Sequence, residues 1–262
     1  MSERLLPLEG GRNFRDMGGY RTDDGRMTRW GRLFRSGAMS DLTEADHRFL
    51  AGLGIAVICD FRTVGERVDE PTLWPGEAGP PIRTRDYEIN GRRIRDAVAA
   101  GGGFTQEIVR EAMKGFYVEL PYGHLESYQM MFSELLAGNV PLVINCSAGK
   151  DRTGAAAALL LSALDVRWDE ILHDYSLSEK LVDFEAVATR VGATDRSTGF
   201  AAVAKMSREL RSSMLRSDPA YLTAMRDEIE RREGSIANYL RSHLDIGPSE
   251  KKALQAMLLE PA

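Results

Sequence analysis

Cys146 and Arg152 bracket five residues, Ser147, Ala148, Gly149, Lys150 and Asp151, and Thr153 and Gly154 follow. A thiol at neutral pH is only a few per cent thiolate, and the thiolate is the nucleophile. Inward N–H groups, a helix N-terminus and nearby cationic side chains all favour that thiolate. The planar fork of Arg152 suits two oxygens of a phosphoryl group, and Thr153 could donate its hydroxyl to the sulfur. The small side chains of Ser147, Ala148 and Gly149 let the backbone curl around an anion, with Lys150, Asp151 and Arg152 completing the candidate phosphate-binding run.

Such a loop needs a strand before it and a helix after it. Leu142, Val143 and Ile144 form a short apolar run with two β-branched members, as a buried strand would. From Gly154 through Leu164 the chain is rich in Ala and Leu and predicts a helix buried on several sides.

Cys146 to Arg152 resembles the signature loop of cysteine-dependent phosphatases. The version Gly149-Lys150-Asp151-Arg152-Thr153-Gly154, with Asn13-Phe14-Arg15-Asp16-Met17-Gly18-Gly19 near the N-terminus, resembles the bacterial tyrosine-phosphatase family with a Lys-Asp loop. The likeness runs over residues 8–259. It implies a cysteine-phosphatase-like α/β fold and phosphomonoester hydrolysis through a cysteinyl phosphate, with no metal and no other cofactor. The implied substrates are proteins carrying phosphotyrosine, phosphoserine or phosphothreonine, and phosphoinositides. Asn13, Arg15 and Asp16 would brace the phosphate loop or touch substrate. Asp60 and Arg62 resemble the family's Asp-x-Arg element.

Two carboxylates compete for the general-acid role, and Asp151 is the expected direct participant, with Asp60 in support. An ion pair of Asp60 with Arg62 is the structural alternative. Lys150 would add charge at the rim or simply hydrate. Related phosphatases usually carry histidine just before the nucleophile, where this chain has Asn145. An amide can orient the loop but carries no imidazolium charge, which keeps open a phospho-ligand-binding module with little turnover. Sulfur transfer and arsenate reduction also use anion-cradling cysteine loops, but Arg152-Thr153 and the N-terminal motif argue against them.

The 262 residues are 43% hydrophobic and 28% charged, which suits a globular chain with a sizeable core. The expected organisation is one phosphatase domain over residues 1–262, with residues 178–217 either a lid above the site or an ordinary helical layer. A net charge of −5 argues against a general nucleic-acid binder. The start lacks the apolar stretch of a signal peptide, and the longest apolar run, residues 155–161, is too short to span a membrane. Two cysteines make no disulfide scaffold, so a cytoplasmic location is expected, with unconventional export left open. His47, His124, His173 and His243 are scattered without ligand spacing, so no metal site is expected. Oligomeric state and physiological substrate leave no mark on the sequence.

The remaining elements predict an α/β layer around a mainly parallel sheet flanked by helices, followed by a helical C-terminal portion. Short strands are expected at 27–30 and 33–35, a helix capped by Asp41 or Thr43, and a strand over 55–58 leading to Asp60. Residues 66–79 read as a loop and 82–89 as an extended segment. Basic, glycine-containing 91–103 reads as a surface loop or a fold-over segment. Two helices are expected around Pro121, and several more from 168 onward, the last one capped by Ser249. Arg12, Arg15, Arg21, Arg26, Arg29, Arg32 and Arg35 make the N-terminal region basic. A solvated face is expected for most of them, the wall of an anion cleft being the alternative. Cys59 is expected to be a buried inert thiol, with a resolving cysteine for Cys146 the alternative.

Overall fold

Alternating side chains fix the sheet before any helix is placed. Leu142 and Ile144 join one apolar cluster, while Val143 joins another on the opposite face. A strand apolar on both faces must be sandwiched, and Leu142–Asn145 is buried at all four positions. The computed structural model describes residues 4–74, 79–87, 105–182 and 207–261. In chain order its strands are β1 (Arg15–Asp16), β2 (Met27–Thr28), β3 (Leu33–Ser36), β4 (Val57–Asp60), β5 (Ile82–Thr84), β6 (Leu142–Asn145) and β7 (Leu259–Glu260).

The five-stranded sheet has the order β1-β3-β6-β4-β5. β3, β6, β4 and β5 run parallel, and β1 is antiparallel at one edge. Ser36, Asn145 and Asp60 lie level across the three central strands. The residues after them therefore leave the sheet together at its carboxyl edge, where α/β sheets gather ligands.

Helix α1 (Glu44–Ala51) carries Leu50 into the cluster that holds Phe34, Ile58 and Val143. Thr43 caps it, and its hydroxyl accepts from Asp46 N at 3.2 Å. The other face is covered by α3 (Gln106–Gly123), α4 (Leu125–Leu136) and α5 (Asp151–Ala163). Four successive alanines, Ala155 to Ala158, are buried in α5, so a helix fits tightly against the strands it follows. Beyond it come α6 (Trp168–Leu181), α7 (Arg208–Leu215), α8 (Pro219–Glu233), α9 (Ile236–His243) and α10 (Pro248–Leu258). β7 then pairs with β2, joining the end of the described chain to its N-terminal region.

Several boundaries differ from the sequence expectation. α2 (Val64–Asp69) lies across the start of the segment read as a loop. It has no buried residue and hence no apolar periodicity to read, but Thr63 and Glu66 close a reciprocal capping box at its start. α3 continues through Pro121 to Gly123, and α10 starts at Pro248 behind Gly247, ahead of Ser249. The segment 91–103 and most of the candidate lid lie outside the described residues. No helix among the described residues is long and apolar enough to cross a membrane.

Candidate active site

The loop after β6 is held by its carbonyls. Ser147 O accepts from Ala38 N at 3.0 Å and from Arg12 Nη1 at 3.2 Å. Asn13 Nδ2 donates to Ala148 O at 3.2 Å and to Gly149 O at 2.9 Å, and Arg35 Nη2 donates to Gly149 O at 2.8 Å. In a trans peptide the carbonyl and the following N–H point opposite ways. Fixing these three carbonyls outward turns the N–H groups of Ala148, Gly149 and Lys150 toward the concave side, as an anion nest requires. Gly149 is needed where it stands. Its φ is +67°, and a Cβ would lie 2.6 Å from the backbone of Ser36 and Gly37. Cys146, Ser147 and Ala148 are buried.

Beneath the loop lies a charged foundation. Asn13 adopts φ 55°, a left-handed conformation that asparagine tolerates, and its Oδ1 accepts from Arg15. Arg15 Nε donates to Asp174 Oδ1 at 3.0 Å, Arg35 Nη1 donates to Asp174 Oδ2, and Tyr20 OH donates to Oδ1 at 2.8 Å. Arg15 and Arg35 are completely buried, and Arg12 nearly so, paired with Asp41 and Glu70. This corrects the solvated-face expectation for Arg12 and Arg35. Burial and the neighbouring Arg35 bring the Arg15 guanidinium down to about 10, still charged at neutral pH. Burial would raise the Asp174 carboxyl, yet Arg15 and Arg35 hold it well below the ordinary range. Asp16 accepts from Gly18 N and Gly31 N, each at 2.7 Å, so it shapes the adjoining turn.

Arg152 is fixed by a carboxylate from α2. Its Nη1 donates to Glu66 Oε2 at 2.7 Å and its Nη2 to Glu66 Oε1 at 2.6 Å. Nη1 also reaches Phe61 O and Tyr87 OH, each at 2.9 Å. Glu66 Oε1 accepts from Ser147 Oγ at 2.6 Å as well, tying acid and loop together. Burial acts to raise Glu66, but Arg152 brings it down to about 2. These contacts leave Arg152 one edge, Nε–H and the second Nη2–H, with no acceptor among the described residues. Burial pushes the Tyr87 phenol up to about 12, so it stays protonated beside the guanidinium.

Asp60 ends β4 and both its oxygens are taken by Arg62, at 2.7–3.0 Å. Arg62 reaches on to Glu70 O and Thr72 Oγ1, so the pair fastens the segment that carries Phe61 and Glu66. Asp151 begins α5, is part-exposed, and accepts from Tyr117 OH at 2.7 Å and pairs with Lys150 Nζ at 2.9 Å, both at Oδ1. Lys150 is buried, unlike the rim charge expected, and also donates to Met214 O at 3.0 Å and Arg216 O at 3.2 Å. Neither the Asn145 amide nor the Thr153 hydroxyl has a hydrogen-bond partner among the described residues. His124, behind Tyr87 with ring centroids 4.5 Å apart, is brought down to about 3 by burial and then by Arg152, and is neutral. Cys59 faces the core, and burial raises its thiol to about 12.

A concave row of N–H donors, a buried cysteine, an anchored arginine and a part-exposed carboxylate thus meet at one strand end. A model of the tyrosine phosphatase family matches residues 6–260. The chain belongs to that family. This phosphatase is 31% identical over 242 residues to a Cupriavidus necator protein named as a tyrosine-protein phosphatase, covering 89% of this chain and 82% of that one. It is 29% identical over 271 residues to the triple specificity protein phosphatase PtpB of Mycobacterium tuberculosis, covering 92% and 94%. A tyrosine-protein phosphatase of Nostoc commune is 31% identical over 153 residues, covering 55% and 47%.

Sequence reasoning about this phosphatase missed Glu66, Arg12, Arg35, Asp174, Tyr87, Tyr117 and Tyr175. Only Glu66 had a readable signal, the Thr-x-x-Glu spacing of a capping box. Asp174 lies far along the chain from the loop it underpins, and nothing local marks it.

Proposed function

We propose that this phosphatase hydrolyses phosphotyrosine, phosphoserine and phosphothreonine in proteins through a cysteinyl-phosphate intermediate. The observation that carries this is the loop whose three outward carbonyls leave three N–H groups facing inward beside the free edge of Arg152. A phosphoryl group presents three non-bridging oxygens to such donors, and their charge is met by preorganised dipoles and one fixed guanidinium. The Cys146 thiolate forms the S–P bond as the P–O bond to the substrate breaks. Asp151 gives its proton to the leaving oxygen. Water then attacks phosphorus, the Asp151 carboxylate takes its proton, and the S–P bond breaks to release phosphate and regenerate the thiolate. Asp60 supports the reaction at a distance, through Arg62 and the segment that positions Arg152. Asn13 and Arg15 brace the loop.

The test is phosphate release from a panel of phosphotyrosine, phosphoserine and phosphothreonine peptides and phosphoinositide vesicles. Wild type is expected to release phosphate from all three peptides, and Cys146→Ser from none. Equal release by both proteins overturns the nucleophile. Release from phosphoinositides alone overturns the protein substrates. Binding of phosphopeptides without release favours the binding-module reading that Asn145 raised.

A further inference from the structure

The two oxygens of Asp151 are not equivalent. Oδ1 accepts from Tyr117 OH at 2.7 Å and faces Lys150 Nζ at 2.9 Å, whereas none of the described residues donates to Oδ2. Tyr117 OH in turn lies 2.6 Å from Tyr175 OH. A phenol has one proton to donate. If Tyr117 gives its proton to Asp151, Tyr175 must give its own to Tyr117, so the chain runs one way, Tyr175 to Tyr117 to Asp151.

Both phenols are buried, on α3 and α6, and their rings meet edge to face with centroids 5.9 Å apart. Burial and then the nearby Asp151 push Tyr117 well above its ordinary value, and burial followed by the same carboxylate does so for Tyr175. Neither ionises in the working range, so both remain donors. The α5 backbone approaches the same pair closely. A Cβ at Gly154 would lie 3.0 Å from the Tyr175 ring, so the ring is held in place from the loop side.

The geometry points to Tyr117 and Tyr175 as positioning residues that fix which oxygen of Asp151 carries the transferable proton. This rests on Asp151 being the general acid. With Oδ1 occupied by donors, a proton on Asp151 resides on Oδ2, the oxygen left free for the leaving group. In the second step the water proton returns to that same atom. Without the phenol, Oδ1 keeps only Lys150 Nζ, so its bias against the proton weakens and the carboxyl gains freedom to rotate. Proton delivery then suffers most where the leaving oxygen is most basic.

The experiment compares kcat/KM for phenyl phosphate, a poor leaving group, with that for 2,4-dinitrophenyl phosphate, which departs without help. Tyr117→Phe keeps the ring and removes only the hydroxyl. It is expected to lose about tenfold more on phenyl phosphate than on the dinitrophenyl ester, and Tyr175→Phe about threefold more. Asp151→Asn is run beside them and is expected to show the larger difference, about a hundredfold. Equal losses on the two esters in Tyr117→Phe and Tyr175→Phe, with a selective loss in Asp151→Asn, overturn the positioning role while the acid assignment stands. Equal losses in Asp151→Asn overturn the acid assignment and the inference with it. Should Tyr117→Phe fail to fold, the Tyr175→Phe ratio decides in its place.

Discussion

At the scale of single residues, Arg152 depends on a neighbour that no motif names. A guanidinium buried at a strand end must be paired, and Glu66 meets it with both oxygens while also holding Ser147 and the Thr63 N–H. Removing one partner of such a pair leaves the other charge uncompensated, which costs more than the pair contributes. Glu66→Gln keeps the shape and the cap acceptor but removes the charge. It is expected to lower stability by about 3 kcal/mol in urea unfolding, and kcat/KM by roughly tenfold to a hundredfold as the free edge of Arg152 loses its aim. A variant as stable and active as wild type would mean Arg152 finds its place without α2. Cys146, Arg152 and Asp151 stand out in the sequence because one short motif contains them. Glu66 stands out less, since a capping box announces a helix start and says nothing of the guanidinium it meets.

At the scale of elements, the central strands and long helices are legible because their apolar positions mark buried runs or repeat with the helical period, whereas β7 forms where the sequence reads as the end of the last helix. β4 and β6 are apolar up to their last residues, Asp60 and Asn145, and α4 shows Tyr128, Met131, Phe132 and Leu135 on one face. α2 has no such signal, with Val64 and Val68 exposed. A six-residue helix without a buried face is held by its caps and by Glu66 reaching into the site. Thr63→Ala removes the hydroxyl that accepts from Glu66 N at 3.3 Å. A lost N-cap costs about 1 kcal/mol, here confined to an element peripheral to the core. Global stability is therefore expected to change little, while amide exchange over residues 64–69 accelerates and kcat/KM falls several-fold. A full loss of about 1 kcal/mol in global unfolding with unchanged exchange in α2 would show that the helix unfolds only with the whole molecule.

At the scale of the whole molecule, what escapes the sequence is long-range pairing. The loop's foundation joins Asn13 and Arg15 near the N-terminus, Arg35 at the end of β3, and Asp174 on α6, which meet only when the fold is complete. A lone arginine in a basic stretch reads as solvated because most are. Here the sheet closes over Arg15 and Arg35, and a single carboxylate serves both.

That arrangement has a consequence for acid stability. The Asp174 carboxyl lies below its ordinary value, with Arg15 and Arg35 outweighing burial, and Glu66 is held at about 2 by Arg152 against burial. A depressed carboxyl contributes stability that is complete above its unfolded value and disappears as pH falls through the folded one. For Glu66 that window runs from 4.5 down to about 2, and for Asp174 from 3.8 downward. Asp16, raised by burial, works in the opposite direction, against its Gly31 and Gly18 donors. The low values of Asp24 and Glu228 come from surface arginine pairs, where solvent screening leaves little stability at stake. Urea midpoints are therefore expected to hold steady from pH 7 to 5 and then fall steeply toward pH 3. Asp174→Asn is expected to lose about 3–5 kcal/mol at pH 7, where two buried guanidiniums are left without their counter-charge. Its further decline toward pH 3 should be shallower than that of wild type, because one of the titrating groups is gone. Parallel pH curves for the two proteins would place the acid sensitivity elsewhere than beneath the phosphate loop.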